Sequence, residues 1–268
     1  MQYSKGQAQE RTKMGLDTDR KDFFYYLLNA KDTETGGPGF NTQELWGESN
    51  LLIIAGSDTT STALASSFFY LVNNPSKLEV LQKEVRAAFN DVEEIHTGPE
   101  LNSCVYLRAV IDESMRLSPP VGGILPREVL SGGLTIDNHH FPAGVVVGTS
   151  HYTIHHNPDY YPDPYTFSPE RWIPDYVGKE NVSTANSAFC PFSIGPRGCI
   201  GKGLAYSELT TALARVVFMY DFKLAEGTSV GDGKASNVEW GRQRIGEYQL
   251  KDCFTSMKEG PMVVFKAR

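Results

Sequence analysis

The 268-residue chain is poor in cysteine: Cys104, Cys190, Cys199 and Cys253 are scattered, with no Cys-x-x-Cys pair. A zinc knuckle and a dense disulfide framework are therefore excluded, and a reducing compartment suits the four thiols. Long basic runs are missing as well. With a formal charge of −7 and a pI near 5.4, the chain does not offer a nucleic-acid surface. No internal repeat is present. Met1 to Arg20 lacks the apolar core that a signal peptide or membrane anchor requires. The most apolar long run, Leu51 to Val72, carries Asp58 inside a Ser/Thr block. Because an aspartate at mid-membrane costs about 3 kcal/mol, that run is expected to be a buried helix of a soluble domain and not a span.

What is present supports a sizeable core, since 40% of the residues are hydrophobic and 21% charged. One large domain or two modest ones fit that composition. Asp22 to Ala30, with Phe23, Phe24, Tyr25, Tyr26 and Leu27, predicts a helix with a broad apolar face, capped by Thr18 or Asp19 and ended by Gly36-Gly37-Pro38-Gly39. Thr42 opens a helical segment of roughly thirty residues, about 45 Å long, that stops at Asn73-Asn74-Pro75. In its middle, Gly56 and the hydroxyls of Ser57, Thr59 and Thr60 predict a local bend with an acid, Asp58, beside it. Asn74-Pro75 reads as the cap and first turn of an amphipathic helix, and a further helix runs from about Tyr106 to Leu117, where Pro119-Pro120 stops it. Within it Glu113 and Arg116 stand three apart and share a face. From Val121 to Ser150, glycines, β-branched residues and turn pairs such as Asp137-Asn138 predict short strands and hairpins; Asp175 to Ala188 reads as irregular, and Asp221 to Arg268 as a small terminal β element.

The most informative stretch is Phe192-Ser193-Ile194-Gly195-Pro196-Arg197-Gly198-Cys199-Ile200-Gly201, followed by a helical pattern from Lys202 to Val217. A thiol ahead of a helix N-terminus meets the positive end of the backbone dipole and unpaired N–H donors, both of which favour the thiolate. Gly195, Gly198 and Gly201 permit positive φ and close backbone approach, and Arg197 sets a guanidinium fork beside the sulfur, so a ligand that is electron-poor with an anionic edge is expected. A buried structural cysteine is the alternative reading. His151, His155 and His156 suggest a metal site less than they suggest structural histidines, because no acidic third ligand has a fixed place.

The ten-residue stretch resembles the haem-thiolate loop of the cytochrome P-450 monooxygenases. Three further segments resemble that family's motifs in the expected order: Ala55-Gly56-Ser57-Asp58-Thr59-Thr60 its oxygen-activating helix, Glu113/Arg116 its Glu-x-x-Arg motif, and Pro169-Glu170-Arg171-Trp172 its Pro-Glu-Arg segment. The resemblance implies a mainly α fold with small β-sheets, the C-terminal part of the cytochrome P-450 fold, with residues 1–268 as a single, N-terminally truncated domain of that kind. It implies haem b with Cys199 as axial thiolate ligand of the iron, Phe192 and Gly201 beside it, and Arg197 pairing a propionate; Arg127 is either a second propionate partner or a surface arginine. Thr59 would hold dioxygen and its waters while Asp58 feeds protons inward. Glu113, Arg116 and Arg171 would form a structural network without chemistry. The implied function is oxidation of a small apolar or aromatic molecule, in the style of fungal secondary metabolism or xenobiotic oxidation, with dioxygen and electrons from an NADPH-dependent flavoprotein reductase. The full-length form is expected on the cytosolic face of the endoplasmic-reticulum membrane, and the chain as it stands to be poorly soluble or a weak haem binder. A haem-thiolate isomerase or dehydratase, and a non-catalytic haem- or partner-binding fragment, are the competing functions.

Overall fold

The protein is represented by a computed structural model that describes residues 2–16, 19, 21–234 and 242–268. It divides into two compact units, Met1–Asp58 and Thr59–Arg268. Within the described residues of the first unit lie α1 (Gln2–Met14), α2 (Phe23–Asn29) and the beginning of α3 (Thr42–Asn73). Asp22 caps α2, its carboxylate accepting the Tyr25 N–H at 3.0 Å, while Thr18 lies outside the described residues. No residue of α2 is buried, and Phe23 and Tyr26 are exposed. The broad apolar face read from the sequence is therefore present but only partly covered, Phe24, Tyr25, Leu27 and Leu28 being half-buried.

A reciprocal cap opens α3: the Asn41 side chain accepts the N–H groups of Gln43 and Glu44, and the Glu44 carboxylate accepts the Asn41 N–H at 2.7 Å. The helix then runs for 32 residues, about 48 Å at 1.5 Å per residue, without interruption at Gly56. The expected burial of Leu51 to Val72 holds only in part. Leu51, Ile53 and Ile54 are exposed, and continuous burial begins near Thr62 and Ala63 and ends with Phe69 to Val72. Asn74 does not cap the next helix with its side chain. Its Nδ2 donates instead to the Tyr70 carbonyl at 2.8 Å, closing the end of α3, and Pro75 alone opens α4 (Pro75–Ala88).

The second unit holds the core. Leu78, Leu81 and Val85 of α4, Leu107, Val110 and Ile111 of α6 (Val105–Leu117) and Leu209, Leu213 and Val217 of α10 (Lys202–Met219) interlock with Phe69 and Leu71. Each such side chain contributes about 1.5–3 kcal/mol of burial. A short helix, α5 (Pro99–Ser103), precedes α6, and between α6 and α10 the chain passes through α7 (His151–His155), α8 (Pro174–Val177) and α9 (Lys179–Ala188). The helices α8 and α9 replace the irregular approach expected from composition, Pro174 opening one and positive-φ Gly178 separating them.

Three two-stranded antiparallel sheets occur among the described residues. β1 (Arg127–Glu128) pairs with β4 (Val146–Val147), and β2 (Leu134–Ile136) with β3 (His139–Phe141) across Asp137-Asn138, both left-handed at φ 48° and 63° as a two-residue hairpin turn requires. β5 (Tyr220–Leu224) pairs with β6 (Val263–Ala267) to close the C-terminus. The Tyr70 hydroxyl ties this end to the core, lying 2.7 Å from the Ser118 hydroxyl and accepting the Tyr248 N–H.

Candidate functional site

The cysteine loop is shaped by its own backbone. Cys199 N–H donates to the Phe192 carbonyl at 2.8 Å, Ser193 N–H to Cys190 and Gly198 N–H to Gly195, which folds the segment into a compact turn ahead of α10. Of the three glycines, Gly195 alone has positive φ, 72°, and Ser193 shares that region at 57°. Gly198 sits at φ −59° and its surroundings are close: a Cβ there would lie 3.2 Å from the Gly195 carbonyl oxygen, which would have to give by a few tenths of an ångström. Gly201, at φ −83°, would place a Cβ 3.7 Å from the Cys199 sulfur, an ordinary contact. The expectation of positive φ at Gly198 and Gly201 is thus corrected, while close approach survives at Gly198.

Cys199 is exposed and free, not buried among aliphatic side chains, and Ile194 and Ile200 beside it are 78% and 98% exposed. Arg197 is exposed and makes no ion pair or side-chain hydrogen bond among the described residues. Phe192 packs its ring 5.1 Å from Tyr206 of α10. Arg127 is exposed on β1, its guanidinium donating to the Pro126 carbonyl at 2.9 Å. Asp58, exposed, is the last residue of the first unit, and Thr59, half-buried, the first of the second.

Glu113, Arg116 and Arg171 are brought together. Arg116 forks onto Glu113 with two hydrogen bonds of 2.8 Å, and Arg171 Nε reaches the same carboxylate at 3.5 Å. Both Glu113 and Arg116 are fully buried. Burial alone would raise the Glu113 carboxyl, but the Arg116 and Arg171 charges outweigh it and hold the group below the usual carboxylate range. Sequence reasoning missed five partners. Trp172 Nε1 donates to Glu113 at 3.0 Å, the Ser168 N–H donates at 3.0 Å, and Arg116 donates to the carbonyls of His155, Pro164 and Thr166. Trp172 adjoins Arg171 in sequence and was open to inference; carbonyls of an irregular segment carry no sequence signal.

The histidines are placed as structural groups. His151 Nδ1 meets the Val121 carbonyl, His156 Nδ1 the Tyr152 carbonyl, and His155 Nε2 accepts the Cys190 N–H at 3.0 Å. Burial pushes His155 down to about 3 and His156 down to about 4, so both are neutral. Among the described residues no group of three or more His, Cys, Asp or Glu side chains is placed to hold a metal ion. A cavity of about 580 Å³ lies beside Ser118, Gly123, Tyr152, Arg242 and Glu247, and no residue of the cysteine loop lines it.

The family model described as Cytochrome P450 matches residues 2–242. The chain belongs to the cytochrome P450 family. Similar relatives are cytochrome P450 monooxygenase apf7 of Gibberella fujikuroi, 51% identical over 92% of this chain and 46% of the relative, and cytochrome P450 monooxygenase AKT7 of Alternaria alternata, 46% identical over 93% and 49%. This P450 chain spans about half the length of those relatives. Among solved structures, a cytochrome P450 (CYP102L1) matches with a TM-score of 0.77 at 21% identity, covering 100% of this chain and 56% of that one, which shows the fold. Retinoic-acid-bound cyanobacterial CYP120A1 matches with the same TM-score at 26% identity, covering 98% and 54%. The mainly helical P450 fold with small antiparallel sheets is that of the C-terminal portion.

The family implies a haem-thiolate group, and the loop's side chains suit one. An accessible thiol, apolar Ile194 and Ile200 on open display and an unpaired Arg197 match a flat apolar macrocycle that carries a metal and acidic side arms.

Proposed function

We propose that this chain is the haem-binding portion of a fungal monooxygenase that oxidises a small apolar or aromatic molecule of secondary metabolism, using dioxygen and electrons from an NADPH-dependent flavoprotein reductase. The observation that carries this reading is the exposed Cys199 thiol in its closed loop directly before α10. Haem b, when bound, supplies the oxygen activation that no protein side chain can supply. The chain's own residues do the rest. Cys199 Sγ would hold the group as its thiolate ligand. Arg197, with Arg127 as a second candidate, neutralises its acidic edge. Thr59 Oγ1 offers a hydrogen bond and relays a proton, and Asp58, next to it on α3, supplies that proton. By family resemblance, the whole protein works on the cytosolic face of the endoplasmic-reticulum membrane; among the described residues no helix is long and apolar enough to cross a membrane.

Reduced protein under carbon monoxide tests the reading. A red-shifted Soret band marks thiolate ligation, and Cys199→Ser is expected to abolish it. Retention of the band in Cys199→Ser would reject the assigned ligand. Thr59→Ala is expected to keep the band while diverting electrons to peroxide, measured as NADPH consumed per product formed; unchanged coupling would remove Thr59 from the proton path and favour chemistry that needs no dioxygen.

A further inference from the structure

One position before Glu113, a second cluster joins α6 to the cysteine loop. Asp112 accepts the Tyr206 hydroxyl at 2.7 Å and Arg108 Nε at 2.9 Å, and the Arg108 guanidinium lies 3.5 Å over the Tyr206 ring. The tyrosine is thereby held at its edge by a carboxylate and on its face by a cation. Its ring meets that of Phe192 at 5.1 Å, and Lys202, one turn earlier on α10, stands 5.9 Å from the Phe192 ring. Phe192 in turn accepts the N–H of Cys199. A chain of contacts thus leads from two charged groups on α6 to the backbone of the thiol.

Packing alone does not account for it. A phenylalanine at position 206 would fill the same space but would leave the Asp112 carboxylate, whose side chain is only 13% exposed, without the hydrogen bond of the Tyr206 hydroxyl. Burial raises the Asp112 carboxyl above its usual range, and the Arg108, Tyr206 and Lys202 interactions pull it part of the way back. What the arrangement provides is a fixed ring, since both rotation and tilt of Tyr206 are restrained.

We propose that Tyr206, clamped by Asp112 and Arg108, is a positioning residue for Cys199: it fixes the Phe192 ring and the Phe192–Cys199 hydrogen bond that closes the loop, and so sets how the thiolate is presented to the haem. This inference rests on the haem-thiolate reading above. Outer groups that orient a metal ligand alter both its hold on the metal and the reduction potential.

The test uses the full chain loaded with haem, compared with Tyr206→Phe, which keeps the ring, and Asp112→Asn, which keeps the shape and removes the charge. Wild type is expected to give the red-shifted carbon monoxide band. In both variants part of that band is expected to move to the unshifted position of a haem without thiolate. The midpoint potential of Asp112→Asn is expected to rise, because removing a negative charge favours the reduced state. Should the band be intact in wild type and both band and potential be the same in Tyr206→Phe and Asp112→Asn, the positioning role is overturned while thiolate ligation stands. A missing band in wild type would overturn both.

Discussion

Glu113 and Arg116 are fully buried charges, and at the scale of single residues they carry the heaviest penalty for removal. Replacing Glu113 by Ala strands the Arg116 guanidinium, and replacing Arg116 by Ala strands a carboxylate that also serves Arg171, Trp172 and Ser168. Each change is expected to destabilise the protein by about 3–5 kcal/mol, read as a lower urea midpoint at an unchanged slope. A loss under 1 kcal/mol would mean that solvent reaches the pair. The Glu/Arg spacing was legible in the sequence because three residues place two side chains on one helical face. Tyr206 was not legible as a partner of Asp112, since they are 94 positions apart and neither belongs to a motif.

At the scale of elements, α7 and its C-cap residue His156 respond to acid. Both His155 and His156 ionise well below the free-histidine value of 6.5, at about 3 and about 4, because burial disfavours the charged ring. The unfolded chain therefore takes up protons first as pH falls below 6.5, and stability is lost from there down to about 4 for His156 and about 3 for His155. The loss approaches about 1.4 kcal/mol per pH unit for each histidine. Glu84, Asp112 and Glu247, which burial raises, act in the opposite sense. The informative quantity is therefore the difference between wild type and His156→Gln in urea midpoints from pH 7.5 to 4.5. It is expected to change with pH, and a constant difference would show that His156 stays neutral in both states. Periodicity located α4, α6 and α10 well, because an amphipathic stripe dictates its own burial. It failed at α8 and α9, short helices fixed by Pro174 and Gly178, and at the first half of α3, where apolar residues remain uncovered.

For the whole molecule, exposed apolar side chains govern behaviour in solution. Leu51, Ile53 and Ile54 are exposed in the first unit, and Ile124, Leu130, Val146, Ile194 and Ile200 in the second. Surface of that kind favours association. The purified chain is expected to sediment as concentration-dependent oligomers in plain buffer and to shift toward monomer in mild detergent; a monomer at every concentration would contradict this. The P450 fold was legible from four motifs in order, and poor solubility was an expectation of the resemblance, whereas which faces stay uncovered was not legible, since no sequence pattern records which faces find a neighbour. The segment between His155 and Thr166 adds a different lesson. Arg116 collects carbonyls from His155, Pro164 and Thr166 into one guanidinium. The exposed side chains of that stretch can therefore change while a distant residue preserves its path, provided three oxygen atoms continue to face the same fork, whereas buried Tyr161, whose hydroxyl donates to the Ala185 carbonyl, is held by its own packing.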